Sequence, residues 1–417
     1  MKKTKNMQPS KQAENQMNGF LKLAEMTRTE LAAYLRPTYE ELHFHAKEYL
    51  ISLEQKNLGN SHLDKIFCEL FDIGTPENID FMMKQQVKYI ASPFWDIKNK
   101  LGQGISAWQK NSNLVYAMYS RHLNTKLINL FNGQRNNIIY ACGRSDLEIS
   151  RIVSEKLRNC DFEKCKKPMN DFTEWDSSNN KGNVLFESDI LQMICMPEIL
   201  IKDYVQRRAS WKQNASFKTA AGETIKVQTY GSDKQHSGQM FTLTFNTMNN
   251  MSICGDIFDF ECIFLGLFKG DDMGMVCVDY TIRHAHMDLY LKTGYKMKLV
   301  DDDYLEFASY YVTKYGFFPD VVRKTARTLT KVIPNEKYYE ELMLNIENDM
   351  AVILSNESVQ HGCNVIAQHY NKNGFNLTPA DVENMTIFLT NARNHISWKD
   401  REWSENYVTY VNSAGVV

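Results

Sequence analysis

Two apolar runs separated by four residues constrain this chain more than any other feature. CIFLGLF at 262–268 and MGMVCVDY at 273–280 are β-compatible, and the KGDD between them holds the Gly and Asp that tight turns favour. The pattern predicts a β-hairpin with two adjacent carboxylates, Asp271 and Asp272, at its tip. Turn chemistry alone accounts for such a tip, so the hairpin by itself assigns no function.

A second acidic pair stands upstream, Asp171 and Asp176 in NDFTEWDSSNN at 170–180. Hard cations such as Mg²⁺ take oxygen ligands. Two of them clamp the attacking and leaving oxygens of an in-line phosphoryl displacement when carboxylates converge from separate strands. Asp171, Asp271 and Asp272 are the candidate ligands. Between the acidic stretches lies HSGQMFTLTFNT at 236–247, a Ser-Gly loop running into a helix. Gly238 permits close backbone approach there, and Asn246 with Asp176 are candidates to read a ribose 2′-hydroxyl. The plain alternative is an ordinary helix capped by Ser237.

The remaining pattern is coarse. Residues 1–17 are polar and read as a frayed terminus, and apolar residues at helical spacing begin at Phe20, so the first third is expected to be mostly helical. Pro197 and Glu198 open a second helix within 190–207, and 211–239 reads as a small sheet with loops. A long helix is expected over 237–258. Tyr339, Leu342, Ile346, Met350 and Ile353 mark one helical face, and Thr378, Pro379 and Asp381 form a capping box, so the last hundred residues are expected to be a helical unit.

Composition excludes some classes. A length of 417 residues suggests several subdomains. Lys and Arg number 48 against 50 Asp and Glu, so any nucleic acid must be met by a local basic channel rather than by the chain as a whole. Nine scattered cysteines fit reduced thiols. With no apolar stretch after the basic start and no run near the roughly 18 residues of a membrane span, the chain is expected to be soluble and intracellular. His43 with His45, His284 with His286, and Cys160 with Cys165 lack a second ligand pair, so no zinc is expected. Trp108 and Trp175 are expected to be structural.

Taken together, the order D-x₄-D, SG-x₃-T-x₃-N-T and GDD resembles motifs A, B and C of viral RNA-dependent RNA polymerases. In detail it is similar to the hepevirus-like replicases of the alphavirus-like superfamily, the hepatitis E virus group. Glu174 between the motif A aspartates, LFKGDDMGMVC, KLGQGISAWQK at 100–110 and FFPDVVRKTARTL at 317–329 carry that closer likeness. It extends from about Phe81 to about Lys331, and residues 1–80 are left unplaced. Asn179 stands where the family often has Gln, and Gln239-Met240-Phe241 is bulkier than its pattern.

The resemblance implies an α+β right-hand polymerase with fingers, a palm on an antiparallel sheet, and a helical thumb. Residues 1–150 would form an N-terminal extension and fingers, 151–189 the motif A part of the palm, and 190–236 a fingers insertion. Residues 237–318 would complete the palm with motifs B to E, and 319–417 would form the thumb. Asp171, Asp271 and Asp272 would hold Mg²⁺ (or Mn²⁺). Ser237, Gly238 and Thr242 would position template and nucleotide beside the ribose readers Asp176 and Asn246. Lys298, with Lys296 as alternate, would protonate the pyrophosphate leaving group. Lys84 and Lys88 would contact the triphosphate, and Lys100 and Arg323 the RNA.

The implied function is templated nucleotidyl transfer from ribonucleoside triphosphates to an RNA 3′-hydroxyl, on an RNA template. Helicase and capping modules of the same replicase are the implied partners, in membrane-associated complexes of the host cytoplasm, with no membrane segment in this chain. Reverse transcription, which must reject the 2′-hydroxyl, fits Asp176 and Asn246 poorly. A noncatalytic RNA-binding replication scaffold with a polymerase-like fold is the rival reading.

Overall fold

The computed structural model describes residues 7–54, 77–83, 104–108, 110–172, 175–218, 222–331, 333 and 335–396. Helices α1 (Pro9–Ala24), α2 (Arg28–Leu35) and α3 (Tyr39–Glu54) precede strands β1 (Glu77–Met83) and β2 (Gly104–Ala107). Helix α4 (Lys110–Leu130), strand β3 (Ile138–Tyr140), helix α5 (Asp146–Leu157) and strand β4 (Pro168–Phe172) follow. Next come α6 (Lys181–Met193), α7 (Glu198–Ala209), β5 (Trp211–Lys218) and β6 (Thr224–Gly231). The central stretch holds α8 (Thr242–Ile257), β7 (Phe258–Lys269), β8 (Asp272–Ile282), α9 (His284–Lys292) and β9 (Met297–Asp301). The last described elements are β10 (Leu305–Phe307), β11 (Tyr310–Thr313), β12 (Gly316–Pro319), α10 (Val321–Leu329), α11 (Glu336–Leu354), α12 (Val359–Lys372) and α13 (Pro379–Thr390), before a short turn of helix. The fold is thus mixed α+β. It divides into two compact units, one from the described residues of 1–84, 102–143 and 164–302, the other from those of 144–163 and 303–417.

The first unit carries a five-stranded sheet in the order β3-β7-β8-β4-β9, and a four-stranded sheet in the order β2-β1-β5-β6. The expected hairpin is β7–β8, paired from Lys269↔Asp272 to Phe258↔Ile282. It is longer than its apolar runs, because only the half near the tip is buried; Glu261, Asp279 and Thr281 face solvent in the other half. Strand β4 pairs antiparallel with β8 and with β9.

Helix α8 is buried at every residue from Thr244 to Ile257. Helix α1 packs against it at glycine distance. A Cβ on Gly19 would lie 2.1 Å from the Ser252 carbonyl oxygen, and one on Gly255 would lie 2.1 Å from the Gly19 carbonyl oxygen. Of the stretch 1–17, expected to be frayed, residues 1–6 lie outside the described part; for the rest the reading is corrected, since Pro9 starts a helix in which Gln12, Asn15 and Gln16 are buried. Gln16 Nε2 donates to Asn249 Oδ1 at 3.0 Å and to Ser252 Oγ at 3.1 Å. A polar segment is buried here because the helix face it meets is also polar. The expected helix over 237–258 is also shorter, running from Thr242 to Ile257, with Phe258 already in β7.

The second unit holds the sheet β10-β11-β12 and helices α5 and α10 to α13. Its apolar core includes the expected α11 face, Tyr339, Leu342, Ile346, Met350 and Ile353. The capping box forms as read: Asp381 N donates to Thr378 Oγ1 at 3.2 Å, and Thr378 N donates to Asp381 Oδ2 at 2.8 Å.

Candidate active site

The β7–β8 tip is a two-residue turn. Lys269 pairs with Asp272, leaving Gly270 and Asp271 between them, with Gly270 at φ +63° and Asp271 outside the positive-φ residues. That combination is the type II′ pattern, which places Gly first. Asp271 and Asp272 are exposed. Strand β4 meets β8 at Met169↔Gly274 and Asn170↔Met273, so one further step puts the backbone of Asp171 level with Asp272. On the other side of β4, Asp171 pairs with Lys298 of β9. Lys269, Asp272, Asp171 and Lys298 therefore stand in one row across four strands, at a strand spacing of about 4.8 Å. Asp171 enters by its backbone position alone, its side chain lying outside the described part. Lys296 and Lys298 are both exposed.

The ribose candidates also meet. Asn246 Nδ2, on α8, donates to Asp176 Oδ1 at 3.0 Å. Asn246 is 8% exposed, and its Oδ1 is buried without a partner in the protein. Asp176 is held in turn by its backbone, whose carbonyl accepts from Gln235 N at 3.1 Å.

The Ser237-Gly238 loop is seated on β2. Gly238 N donates to Ser106 O at 2.8 Å, and Ser106 N donates to Ser237 Oγ at 3.0 Å. The fit needs glycine, because a Cβ at 238 would lie 2.7 Å from Ala107 Cα. Asn113 brackets the loop, donating to Gly238 O at 3.0 Å and accepting from Met240 N at 2.9 Å. Trp108 Nε1 donates to His236 Nδ1 at 3.1 Å, and Thr242 Oγ1 donates to the His236 carbonyl. His236 is pushed down to about 3 by burial and by the Arg208 guanidinium, so its imidazole is neutral and Nδ1 is free to accept. Ser237 is thus no helix cap. The residue before α8 is Phe241, which makes no side-chain cap bond. The bulky Gln239 and Phe241 of this loop are buried, Gln239 accepting from Gln235 Nε2 at 2.9 Å.

Four residues of this arrangement carry no role in the sequence reading: Ser106, Asn113, Thr247 and Asn250. Thr247 Oγ1 accepts from Gly270 N at 2.8 Å, and Asn250 Nδ2 donates to Gly270 O at 3.2 Å. The signal for Ser106 was present in KLGQGISAWQK, a distinctive stretch without chemistry of its own. Trp108, expected to be structural, supports the loop directly.

Other candidates lie elsewhere. Lys84, Lys88 and Lys100 fall outside the described residues. Arg323 belongs to the second unit, where it lies 3.5 Å from Asp320 and 3.6 Å from Glu306. His286 Nδ1 meets Asp256 Oδ1 at 3.0 Å, and His45 packs on His122. Among the described residues no three His, Cys, Asp or Glu side chains form a metal-holding group. The donors at the hairpin tip are carboxylate oxygens, which suit hard divalent cations.

The backbones of Asp171 and Asp272 are thus level on adjacent strands, and the part-buried Asn246–Asp176 pair keeps one amide oxygen open. The family described as RNA dependent RNA polymerase matches residues 6–391, and the chain belongs to that family. Members of that family work with divalent metal ions. The expected kinship with the hepatitis E virus group is borne out. The chain is 30% identical over 233 residues to the non-structural polyprotein pORF1 of a genotype 1 hepatitis E virus (isolate Human/India/Hyderabad), covering 56% of this chain and 13% of the polyprotein. Against the genotype 3 isolate Swine/United States/swUS1 it is 30% identical over 236 residues, again 56% and 13%. Against the genotype 2 isolate Human/Mexico it is 28% identical over 251 residues, covering 60% of this chain and 14% of that polyprotein. The chain therefore corresponds to a small part of the length of these polyproteins.

Proposed function

We propose that this chain is the RNA-polymerising segment of a larger viral replicase, extending an RNA 3′-hydroxyl along an RNA template. The observation that carries the reading is the convergence on α8. Asn246 bonds Asp176, while Thr247 and Asn250 of the same helix hold the turn that presents Asp271 and Asp272. Asp171, Asp271 and Asp272 would hold Mg²⁺ or Mn²⁺. Bound there, the ions stabilise charge on the attacking and leaving oxygens.

In the reaction, the 3′-hydroxyl gives up its proton to solvent water and bonds to the α-phosphorus as the bond to pyrophosphate breaks. Lys298, opposite Asp171 in register, supplies a proton or positive charge to the departing oxygen, with Lys296 as alternate. Asn246 Oδ1 accepts the ribose 2′-hydroxyl. A deoxyribonucleotide leaves that acceptor unmet, at a cost of about 1–3 kcal/mol. Ser237, Gly238 and Thr242 shape the loop against which template and nucleotide lie. Lys84 and Lys88 meet the triphosphate and Lys100 the RNA, while Arg323 would share its guanidinium between RNA and its acidic neighbours.

The right-hand arrangement goes with this reading: fingers in 1–150 and 190–236, palm in 151–189 and 237–318, thumb in 319–417. So do the helicase and capping partners and a place in membrane-associated complexes of the host cytoplasm. No helix among the described residues is long and apolar enough to cross a membrane. The test is incorporation of labelled ribonucleotides on a short RNA template with Mg²⁺ or Mn²⁺, wild type against Asp271→Ala. Template-dependent product that falls to background in the variant is the expected result. A folded wild type that binds RNA and makes no product would favour the scaffold reading.

A further inference from the structure

The two main-chain polar groups of Gly270 have no partner in the β7–β8 ladder, which ends at Lys269↔Asp272. Gly270 is buried, so both groups must be met from within. Two side chains three residues apart on α8 meet them, Thr247 taking the N–H at 2.8 Å and Asn250 the carbonyl at 3.2 Å. The peptide planes flanking Gly270 are thereby fixed, and with them the direction in which the next residue, Asp271, leaves the backbone.

The Thr247 hydroxyl is used to capacity, and both ends of the Asn250 amide are engaged. The Thr247 hydroxyl donates to Leu243 O at 2.7 Å, so its second lone pair receives the Cys142 thiol at 3.1 Å. Asn250 Oδ1 accepts from Cys254 Sγ at 3.2 Å, and that sulfur receives Asn170 Nδ2 at 3.6 Å. Burial raises Cys254 to about 12, which keeps its proton available for Asn250. Asn170 lies in β4 immediately before Asp171. One polar ladder on α8 thus reaches the β7–β8 turn and the strand of the third carboxylate. Thr247, Asn250, Asn170 and Cys254 are all buried.

We propose that Thr247 and Asn250 are positioning residues for the acidic turn: they set the geometry in which Asp271 and Asp272 take up divalent metal, without touching metal or substrate themselves. The proposal rests on the polymerase reading and makes a separate demand. A plain packing role would need only the volume of these side chains; positioning needs their hydrogen bonds.

The experiment compares wild type with Thr247→Val, Thr247→Ser and Asn250→Leu. Labelled-ribonucleotide incorporation is measured across a Mg²⁺ titration, and hydrogen exchange is followed in the peptide spanning Gly270. Thr247→Val and Asn250→Leu are expected to raise the half-saturating Mg²⁺ concentration or lower kcat by about 10- to 100-fold. The KM for nucleotide should hold, and exchange at the turn should accelerate. Thr247→Ser, which keeps the hydroxyl, is expected to restore most of both readouts. Should Thr247→Val fail to fold, Asn250→Leu and its exchange rate decide alone. Variants with wild-type Mg²⁺ dependence, kcat and exchange, differing only in melting temperature, would overturn the proposal. A wild type that makes no product breaks the polymerase reading instead. The exchange comparison still tests the clamp in that case, and unchanged protection of the turn in Thr247→Val rejects it.

Discussion

Helices α8 and α11 are both long and both built into a core, yet they follow opposite rules. Helix α11 buries one stripe, Tyr339, Leu342, Met343, Ile346, Met350, Val352 and Ile353, and leaves its other side to solvent. Helix α8 is buried on all sides from Thr244 onward, and Asn246, Thr247, Asn249, Asn250, Ser252 and Asp256 are among its buried residues. The stripe stabilises by removing apolar surface from water, which is tolerant of direction. The polar helix stabilises little per bond but ties particular atoms to particular partners. Asn249 donates to Glu187 Oε1 at 2.9 Å, and Glu187 also takes the Tyr204 hydroxyl at 2.7 Å and the Arg208 guanidinium at 2.7 Å. Arg208 in turn donates to the carbonyl of Asp233 at 3.2 Å, in the segment leading to the Ser237-Gly238 loop. Helix α8 thus uses its buried surface for direction, and α11 uses its buried surface for area.

The sharpest way to break this contrast pairs two truncations. Glu187→Ala leaves a guanidinium with 0% side-chain exposure without its carboxylate, a loss of about 3–5 kcal/mol. Met350→Ala opens a cavity in the apolar stripe, at about 2–5 kcal/mol. Urea denaturation should show losses of similar size. The folded fractions should then differ: Glu187→Ala is expected to lose preference for ribo- over deoxyribonucleotides, and Met350→Ala to keep it. Equal loss of that preference in both would end the division between directing and filling interiors.

Acid gives the next effect. His236 titrates at about 3 in the fold against 6.5 when free, so below pH 6.5 the unfolded chain binds a proton that the folded chain refuses. Its contribution is complete above pH 6.5 and declines as pH falls toward 3, at most about 1.4 kcal/mol per pH unit. At pH 5 the loss is about 2 kcal/mol by the same slope. Urea midpoints of wild type and His236→Gln, compared from pH 7 to pH 5, isolate this group, because titrating carboxylates are common to both. Parallel curves would mean that the loop under α8 takes up protons without strain.

The same contrast explains what could be read from the sequence. The α11 stripe, the Thr378 cap and the β7–β8 hairpin depend on residues near one another in the chain, and period or turn chemistry reveals them. The polar core of α8 depends on residues far away. Gln16 meets Asn249, Thr247 meets Gly270 and Ser106 meets Gly238, and nothing local distinguishes such side chains from solvated ones. Residues 9–17 were misjudged for that reason. The pairing of Asn246 with Asp176 was legible because both belong to spaced motifs, whereas the strand that seats the loop was visible only as a distinctive stretch without a role.

The smallest effect tests the local end of the comparison. Thr378→Ala removes an N-cap that accepts from Asp381 N at 3.2 Å, and with it the Oγ1 bond at 2.7 Å that is the larger of the two holding the Asp381 carboxyl below the usual range; the residue 378 amide still donates to that carboxyl. A lost cap costs about 1 kcal/mol. The capping box is exposed and complete within four residues, so its loss should lower the urea midpoint of the helical unit and leave nucleotide preference and Mg²⁺ dependence at wild-type values. Asp381→Asn, which keeps a side-chain acceptor for the Thr378 amide, should fall between wild type and Thr378→Ala. A change in Mg²⁺ dependence in either variant would mean that even a self-contained cap in the second unit is coupled to the acidic turn, and stability and direction could then no longer be assigned to separate helices.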